Sequence, residues 1–161
     1  MLRGRRVFLR ALTPADYELL NRWEADAEIK NLVGEDRLNG QWPRSNRRLD
    51  LAILLAGHQL IGRVSLEEIS WRARTAELKI VIGPREFWGQ GYGRESIQTL
   101  VGHFFSTGKL RRIYLRVYRD NRRAIRCYEQ CGFEKEGYLQ SESRDGFREL
   151  ILMSLEQQET A

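Results

Sequence analysis

Apolar and polar residues alternate along the first strand that the sequence predicts. Over residues 5–11, Val7 and Leu9 fall on one side of an extended chain, and Phe8 and Arg10 fall on the other. This alternation is typical of a strand that buries one face.

A helix should follow this strand. Thr13 can cap its first turn, Pro14 stands where a missing N–H costs nothing, and Asp16 suits the positive end of a helix. We expect the helix to run to about Ala27. Residues 29–46 mix glycine, proline and charges without a clean period, so they predict a loop with at most one short helix. Such a loop is a natural place for substrate selection.

The middle of the chain predicts a hairpin, a strand and a helix. Two apolar runs, residues 49–57 and 59–69, meet at Gly57-His58 and predict a β-hairpin. Residues 75–83 predict the next strand. After a cluster of glycines, apolar residues recur at helical spacing, namely Ile97, Leu100, Val101, Phe104 and Phe105.

The last third of the chain completes the predicted sheet. Residues 111–118 predict a strand, and residues 121–132 predict a helix that a left-handed glycine ends. Residues 133–143 and 147–155 predict a strand pair joined across residues 144–146. This order of elements predicts an α+β fold in which a mixed sheet has helices on both faces.

Composition narrows the class of protein. A length of 161 residues with 42% hydrophobic content suits one domain, residues 1–161, that folds without disulfides or metals. We expect a cytoplasmic protein, because no apolar run is long enough to span a membrane and the N-terminus lacks the features of a signal peptide. Cys127 and Cys131 predict two reduced thiols in the interior. The net charge of +5 indicates an anionic partner, such as nucleic acid, an acidic membrane or a phosphorylated cofactor.

A glycine-rich segment between a strand and a helix carries the strongest functional signal. Gly89, Gly91 and Gly93 would let backbone N–H groups approach a ligand, and the helix N-terminus adds partial positive charge. Arg94 adds a full charge, so the segment predicts a pyrophosphate cradle. A turn that needs glycine for its geometry alone is the simpler alternative. The Lys-Ser or Lys-Thr pair of a P-loop and the G-x-G-x-x-G order of a dinucleotide fold are both missing from the sequence.

A second candidate site lies on the helix that follows the next strand. Asn121 and Tyr128 are seven residues apart, so they share one helix face and lie about 10 Å from each other. A linear ligand along this face would contact both side chains. Taken alone, Asn121 is also explained as a helix cap and Tyr128 as a core tyrosine.

The order of these parts resembles the GNAT superfamily of N-acetyltransferases over residues 75–133, and more loosely over nearly the whole chain. Gly91 and Gly93 match the last two fixed positions of the loop pattern R/Q-x-x-G-x-G/A, whereas Trp88 replaces the usual Arg or Gln. The sequence is most similar to the branch of ribosomal-protein and spermidine N-acetyltransferases, in RTAELKIVIGP before the loop and EGY after the second motif. That second motif is matched by Asn121, Ala124, Tyr128, Gly132 and Phe133.

This resemblance implies a three-layer fold with a mostly antiparallel sheet, and it implies acetyl-CoA as co-substrate with no metal. Pantetheine would pair with the backbone near Val81 and Ile82, where two strands splay apart, and Asn121 would hold the pantetheine arm. The full set of expected cofactor-binding residues is Val81, Ile82, Gly89, Gln90, Gly91, Tyr92, Gly93, Arg94, Asn121 and Ala124.

Glu77 and Tyr128 are the candidate catalytic residues. An amine attacks a thioester only when it is neutral, so a base, or a water leading to one, must remove a proton. Glu77 matches a Glu of the spermidine branch and is the candidate base, although a surface carboxylate on a strand explains it equally well. Tyr128 would lie near the sulfur and protonate the departing CoA thiolate. A backbone N–H near Ile82 would stabilise the oxyanion.

The acceptor implied by the resemblance is a primary amine that attacks directly in a ternary complex. Three kinds of acceptor stay open, a small polyamine-like amine, an antibiotic amine and a protein N-terminus, and a homodimer is compatible with the resemblance. Acidic residues before the hairpin could receive a polycation, or form an ordinary solvated surface, namely Glu24, Asp26, Glu28, Glu35 and Asp36.

Two other functions are compatible with the sequence. One is a CoA-binding regulatory module without turnover, which the presence of Tyr128 and Glu77 argues against. The other is a basic nucleic-acid-binding protein, which the arginine-rich span 109–126 suggests. Much of that span alternates with apolar residues, so we expect a solvated face there, with neither nucleic acid nor membrane as a partner. A contact of Arg122 and Arg123 with the cofactor's phosphates is the alternative. His58 and His103 are interpreted as structural.

Overall fold

The computed structural model describes residues 1–33, 46–143 and 146–158. Within these ranges, eight strands form one sheet in the order β1-β2-β3-β4-β5-β6-β8-β7. The strands are β1 (Leu2–Arg3), β2 (Phe8–Ala11), β3 (Leu49–Leu55), β4 (Gln59–Ser70), β5 (Thr75–Ile82), β6 (Arg112–Tyr118), β7 (Glu134–Ser143) and β8 (Gly146–Glu156), and the helices are α1 (Pro14–Glu24), α2 (Ala27–Val33), α3 (Tyr92–Ser106) and α4 (Arg122–Gln130).

The sheet is antiparallel except between β5 and β6. These two strands pair in parallel only from Thr75 opposite Arg112 to Glu77 opposite Tyr114. Both strands continue beyond this ladder, β5 to Ile82 and β6 to Tyr118, so they separate along the rest of their length. The predicted mixed, mostly antiparallel sheet flanked by helices is therefore confirmed, together with the predicted splay of two strands.

An apolar core fills the space between one face of the sheet and α3. Val7 and Leu9 are fully buried, as the alternation at the N-terminus predicts. The helical stripe is also confirmed, because Ile97 and Leu100 are fully buried in the same cluster. Burying such side chains stabilises a domain by about 1.5–3 kcal/mol each, so this stripe fixes α3 against the sheet.

The other face of the sheet carries charged residues buried beneath α1. Arg63 on β4 is only 2% exposed, and its Nε donates a hydrogen bond to Glu24 of α1. Its Nη1 donates to Ser65 Oγ at 3.2 Å, and Ser65 donates to Asp50 at 2.6 Å. Burial raises the pKa of Glu24 above its ordinary value, although the Arg63 charge opposes that shift. These partners keep the buried charges satisfied.

The first helix ends earlier than the sequence suggested. We expected a helix to about Ala27, but α1 ends at Glu24 and a second helix begins at Ala27. Asp26 explains the break, because its Oδ1 accepts the backbone N–H of Glu28 at 2.9 Å and so caps the new helix. The short strand β1 was also missed. Most of the loop predicted over residues 29–46 lies outside the described residues.

Glu95 ties the N-terminal segment to α3. Its Oε2 accepts the backbone N–H groups of Arg6 and Val7, each at 2.7 Å. Burial acts to raise the pKa of Glu95, but the hydrogen bonds from Arg6 and Val7 outweigh it and hold the pKa below its ordinary value. The charged carboxylate therefore stabilises the fold.

We expect Glu95→Gln to lower the free energy of unfolding by about 1–2 kcal/mol near neutral pH, because the charged acceptor is lost. A carboxylate whose pKa is lower in the folded state than in the unfolded state stabilises the fold at pH values above its unfolded pKa, which is about 4.3 for Glu. This stabilisation is lost as the pH falls through the folded pKa. The difference between wild type and variant should therefore shrink below about pH 4. Denaturant unfolding across pH measures it, and a constant difference would contradict the assignment.

Candidate functional site

A cavity of about 440 Å³ lies where β5 and β6 separate. Its wall includes Lys79 and Arg116, which share the sheet face beneath α1 and α2, and Leu78 and Ile80, which share the opposite face. Ile29 of α2 also lines it. Because its wall uses both faces, the cavity passes through the gap in the sheet. A ligand on one face can thus meet a ligand on the other.

The glycine segment forms one end of this cavity. Gly89 and Gly91 adopt left-handed backbone conformations, with φ of +72° and +84°, which glycine accommodates without strain. Gly91 directly precedes α3, so the segment ends at a helix N-terminus, as predicted. Gly89, Gly91, Gly93 and Arg94 all line the cavity. The helix N-terminus and Arg94 make this end attractive to an anion.

Gln90 and Tyr92 support the glycine segment from behind. They are not among the described residues that line the cavity. The backbone carbonyl of Gln90 accepts a hydrogen bond from Arg6 Nη1 at 3.0 Å. The Arg6 guanidinium also lies 4.4 Å from the centre of the Tyr92 ring. These two residues connect the loop to the N-terminal segment, and their expected contact with the cofactor stays a prediction.

The open edge of β5 exposes alternate backbone groups to the gap. Gly83 donates its N–H to the carbonyl of Ile61 on β4 at 2.9 Å. Backbone groups alternate sides along a strand, so Val81 also points its N–H and carbonyl toward β4, and Ile80 and Ile82 point theirs away from β4. Val81 and Ile82 both line the cavity as expected. Of these two, Ile82 presents its backbone to the gap.

Helix α4 provides the third wall. Asn121 caps this helix, because its Oδ1 accepts the N–H of Ala124 at 3.4 Å. Asn121, Ala124 and Tyr128 all line the cavity. The Tyr128 ring is partly buried and lies 6.1 Å from the ring of Phe133. Gly132, two residues beyond the end of α4, has a φ of +98°, the left-handed conformation predicted to stop the helix. The second motif thus faces the glycine segment across one cavity.

Glu77 occupies a different position from the other candidates. It is only 3% exposed, so the simple alternative of a surface carboxylate is wrong. Its two carboxylate oxygens accept hydrogen bonds from Arg116, one from Nε at 3.0 Å and one from Nη2 at 3.4 Å. Arg116 lines the cavity, whereas Glu77 is not among the described lining residues. Glu77 therefore lies behind Arg116 as seen from the cavity.

The cationic side chains around the cavity fall into two groups. Lys79 and Arg116 form ion pairs with Glu67 and Glu77. Arg94, Arg123 and Arg126 also line the cavity, but none has a carboxylate partner within the described part of the chain. The unpaired positive charge thus lies beside the glycine segment and α4.

Sequence reasoning missed Lys79 and Arg116 as cavity residues. Their alternation along β5 and β6 places them on one face, but the gap that exposes them depends on where the parallel ladder stops. His58 and His103 do not line this cavity. Both cysteines are free thiols, as expected, and Cys127 lines the cavity.

The described residues include no group of three or more His, Cys, Asp or Glu side chains placed to hold a metal ion. Among the described helices, none has the length and apolar character needed to cross a membrane. Of the eight cationic side chains in the arginine-rich span, Arg112, Arg116 and Arg119 pair with carboxylates, whereas Arg123 and Arg126 have no carboxylate partner among the described residues.

Known proteins share this arrangement. The spermidine N(1)-acetyltransferase of Vibrio cholerae is 41% identical over 87 residues, which cover 54% of this chain and 50% of that relative. The spermidine N(1)-acetyltransferase of Escherichia coli K12 is 36% identical over 81 residues, covering 50% of this chain and 43% of the relative. These matches span half or less of each relative's length.

Solved structures extend the similarity to nearly the whole fold. The crystal structure of the Vibrio cholerae spermidine N-acetyltransferase in complex with CoA and spermine superposes with a TM-score of 0.83 and 28% identity, covering 94% of this chain and 96% of that one. A family model described as an acetyltransferase (GNAT) domain matches residues 6–134. Because this match covers most of the chain, as the motifs led us to expect, the protein belongs to the GNAT acetyltransferase family.

Proposed function

We propose that this protein transfers an acetyl group from acetyl-CoA to a primary amine. The observation that carries the proposal is the cavity through the sheet, which begins at a glycine segment rich in unpaired positive charge and continues past Tyr128 to the opposite face. The similarity to a structure solved with CoA and spermine supports it, because that relative binds the same two classes of ligand.

The cofactor would lie along the walls formed by the glycine segment and α4. The N-terminus of α3 and Arg94 would hold the pyrophosphate. The pantetheine arm would pair with the backbone groups of Ile80 at the open edge of β5 and lead toward the Ile82 N–H, with the Asn121 side chain beside it. This path leads the thioester toward Tyr128, which lines the same cavity.

The amine would approach from the face beneath α1 and α2 and attack the thioester carbonyl. As the C–N bond forms, negative charge develops on the carbonyl oxygen, and the backbone N–H of Ile82 faces the gap where it can stabilise that charge. The C–S bond then breaks, and the Tyr128 hydroxyl donates a proton to the CoA thiolate. The amine's proton passes to a base, directly or through water.

The similarity to spermidine N(1)-acetyltransferases favours a polyamine as the acceptor. Three of the acidic residues expected to receive a polycation are already engaged. Glu24 pairs with Arg63, and Asp26 and Glu28 pair with Arg85. An incoming amine would have to displace Arg85 to use the latter two. The remaining pair, Glu35 and Asp36, lies outside the described residues.

The proposal is tested by acetyl-CoA-dependent thiol release with spermidine, spermine, small aminoglycosides and peptides with free N-termini. A tertiary amine serves as the matched control, since it cannot form a stable amide. Release with at least one primary amine is expected. Tight acetyl-CoA binding without release for any acceptor would favour a regulatory CoA-binding module. Steeply salt-dependent binding to DNA or RNA without acetyl transfer would favour a nucleic-acid function.

Glu77→Gln tests the proposed base. If Glu77 accepts the amine's proton, turnover should fall mainly at low pH, where the amine is mostly protonated, while the Kd for acetyl-CoA changes little. The pH profile of kcat and a binding titration measure these effects. An equal loss across all pH values would show instead that Glu77 acts by holding Arg116. Wild-type turnover throughout would remove Glu77 from the mechanism.

A further inference from the structure

Trp88 makes two contacts that connect the end of β5 to the start of α4. Its Nε1 donates a hydrogen bond to the backbone carbonyl of Ile82 at 2.7 Å. The face of its ring carries the Arg123 guanidinium, whose carbon lies 4.1 Å from the ring centre. At this distance the quadrupole of the ring attracts the cation. Trp88 and Arg123 both line the cavity.

Arg123 adds a full positive charge at the start of α4, which a bound anion would neutralise. It lies in the first turn of α4, where the helix already carries partial positive charge and where the described turn has no acidic residue. Within the described part of the chain, Arg123 forms no ion pair with a carboxylate. Arg94 adds a second unpaired cation to the same cavity. Arg94 lies in the first turn of α3 and Arg123 in the first turn of α4, so each cation adds to the partial positive charge of its own helix N-terminus, and together they form a site suited to a phosphate group.

We propose that Arg123 binds a phosphate group of acetyl-CoA and that Trp88 is a positioning residue that holds Arg123 for this contact. The inference rests on the proposed function, because the cofactor is the source of the phosphate. An arginine side chain has many rotamers in water, and stacking on a rigid ring restricts them before the ligand arrives. The indole N–H fixes the ring in turn, because it donates a hydrogen bond to the backbone carbonyl of Ile82 on β5.

The experiment compares four variants with wild type by calorimetric titration of acetyl-CoA and by steady-state kinetics. Arg123→Gln should weaken acetyl-CoA binding about tenfold and raise its KM, with kcat nearly unchanged, because a ground-state contact is lost. Trp88→Leu should show a similar loss. Trp88→Phe keeps a ring face for the guanidinium but loses the indole N–H, so it should recover most of the affinity. Arg122→Gln is the matched control, since Arg122 is a neighbouring charge that does not line this cavity.

The double variant Trp88→Leu with Arg123→Gln separates positioning from packing. If Trp88 acts through Arg123, the double variant should bind about as weakly as Arg123→Gln alone. Additive losses would overturn the positioning role of Trp88. Wild-type affinity in Arg123→Gln, or an equal loss in Arg122→Gln, would overturn the phosphate contact. Melting temperatures of all variants confirm that they are folded.

Dephospho-CoA identifies which phosphate is bound. A defect of Arg123→Gln that disappears with this ligand assigns the contact to the 3′-phosphate, and a defect that persists assigns it to the pyrophosphate. Failure of the proposed function is distinguishable, because wild-type protein would then release no thiol with any amine, whether or not it binds acetyl-CoA. If wild-type protein binds acetyl-CoA and Arg123→Gln binds it equally well, the phosphate contact is overturned and the proposed function is not.

Discussion

Tyr128→Phe is expected to lower turnover by about 10²-fold, with acetyl-CoA affinity nearly unchanged, because losing a general acid usually costs this much. The substitution keeps the ring and its packing against Phe133 and removes only the hydroxyl. Tyr128 lines the cavity on the same helix as Asn121, and the proposed cofactor path would bring the thiolate to this part of the cavity. Turnover at saturating acetyl-CoA and the Kd, measured on one preparation, test this.

The same variant has a different outcome if Tyr128 is only a packing residue. The lost hydroxyl would then appear as about 1 kcal/mol of stability, with normal turnover in the folded fraction. Tyr138→Phe provides a matched control, since Tyr138 is 64% exposed on β7 and does not line the cavity. It should leave both turnover and stability close to wild type. Unchanged turnover in Tyr128→Phe would exclude the catalytic role.

The sequence predicts most elements of this fold because apolar periodicity reflects burial directly. Val7 and Leu9 alternate along a strand, and Ile97 and Leu100 recur along a helix, and all four are fully buried. The break between α1 and α2 could not be predicted in this way. It depends on one side chain, Asp26, that caps a new helix, and capping residues also occur inside loops.

The candidate site was predictable where backbone geometry requires a particular residue. Gly89 and Gly91 adopt left-handed conformations that favour glycine, so their spacing is visible in the sequence. Contacts between distant segments leave no comparable pattern. The pairing of Glu77 with Arg116 crosses the parallel ladder, and the stacking of Arg123 on Trp88 joins two separate segments. Both depend on where β5 and β6 separate.

The topology of the sheet also explains why two motifs far apart in sequence line one cavity. The glycine segment follows β5, and α4 follows β6, so both leave the sheet at the end where these parallel strands splay. Ligands of open sheets bind where neighbouring strands lead their connections apart. The ion pairs Lys79–Glu67 and Arg116–Glu77 lie on the sheet face beneath α1 and α2, which leaves the unpaired cations beside the glycine segment and α4.

Gly93→Leu is expected to abolish acetyl-CoA binding while leaving the protein folded. A Cβ atom built at Gly93 would lie 3.9 Å from Cys127 Sγ and from Ile80 Cδ1, which are ordinary contact distances. Gly93 lies in α3 and, unlike Gly91, has no left-handed backbone. The added side chain would therefore extend between α4 and β5, into the space that the cofactor needs. Gly91 is a poorer test, because its φ of +84° would strain any substituted residue.

The measurement is the rise in melting temperature on adding acetyl-CoA. A ligand at 100 times its Kd stabilises the native state by about 2.7 kcal/mol, which corresponds to roughly 5–10 °C for a chain of this size. Wild type should show this rise and Gly93→Leu should show none. Gly102→Leu makes the same change in the same helix, at a position where, apart from the neighbouring residues and the helix's own backbone, no described atom lies within 4 Å of the added Cβ, and it should keep the full rise. An undiminished rise in folded Gly93→Leu would show that the cofactor does not occupy the space between α4 and β5.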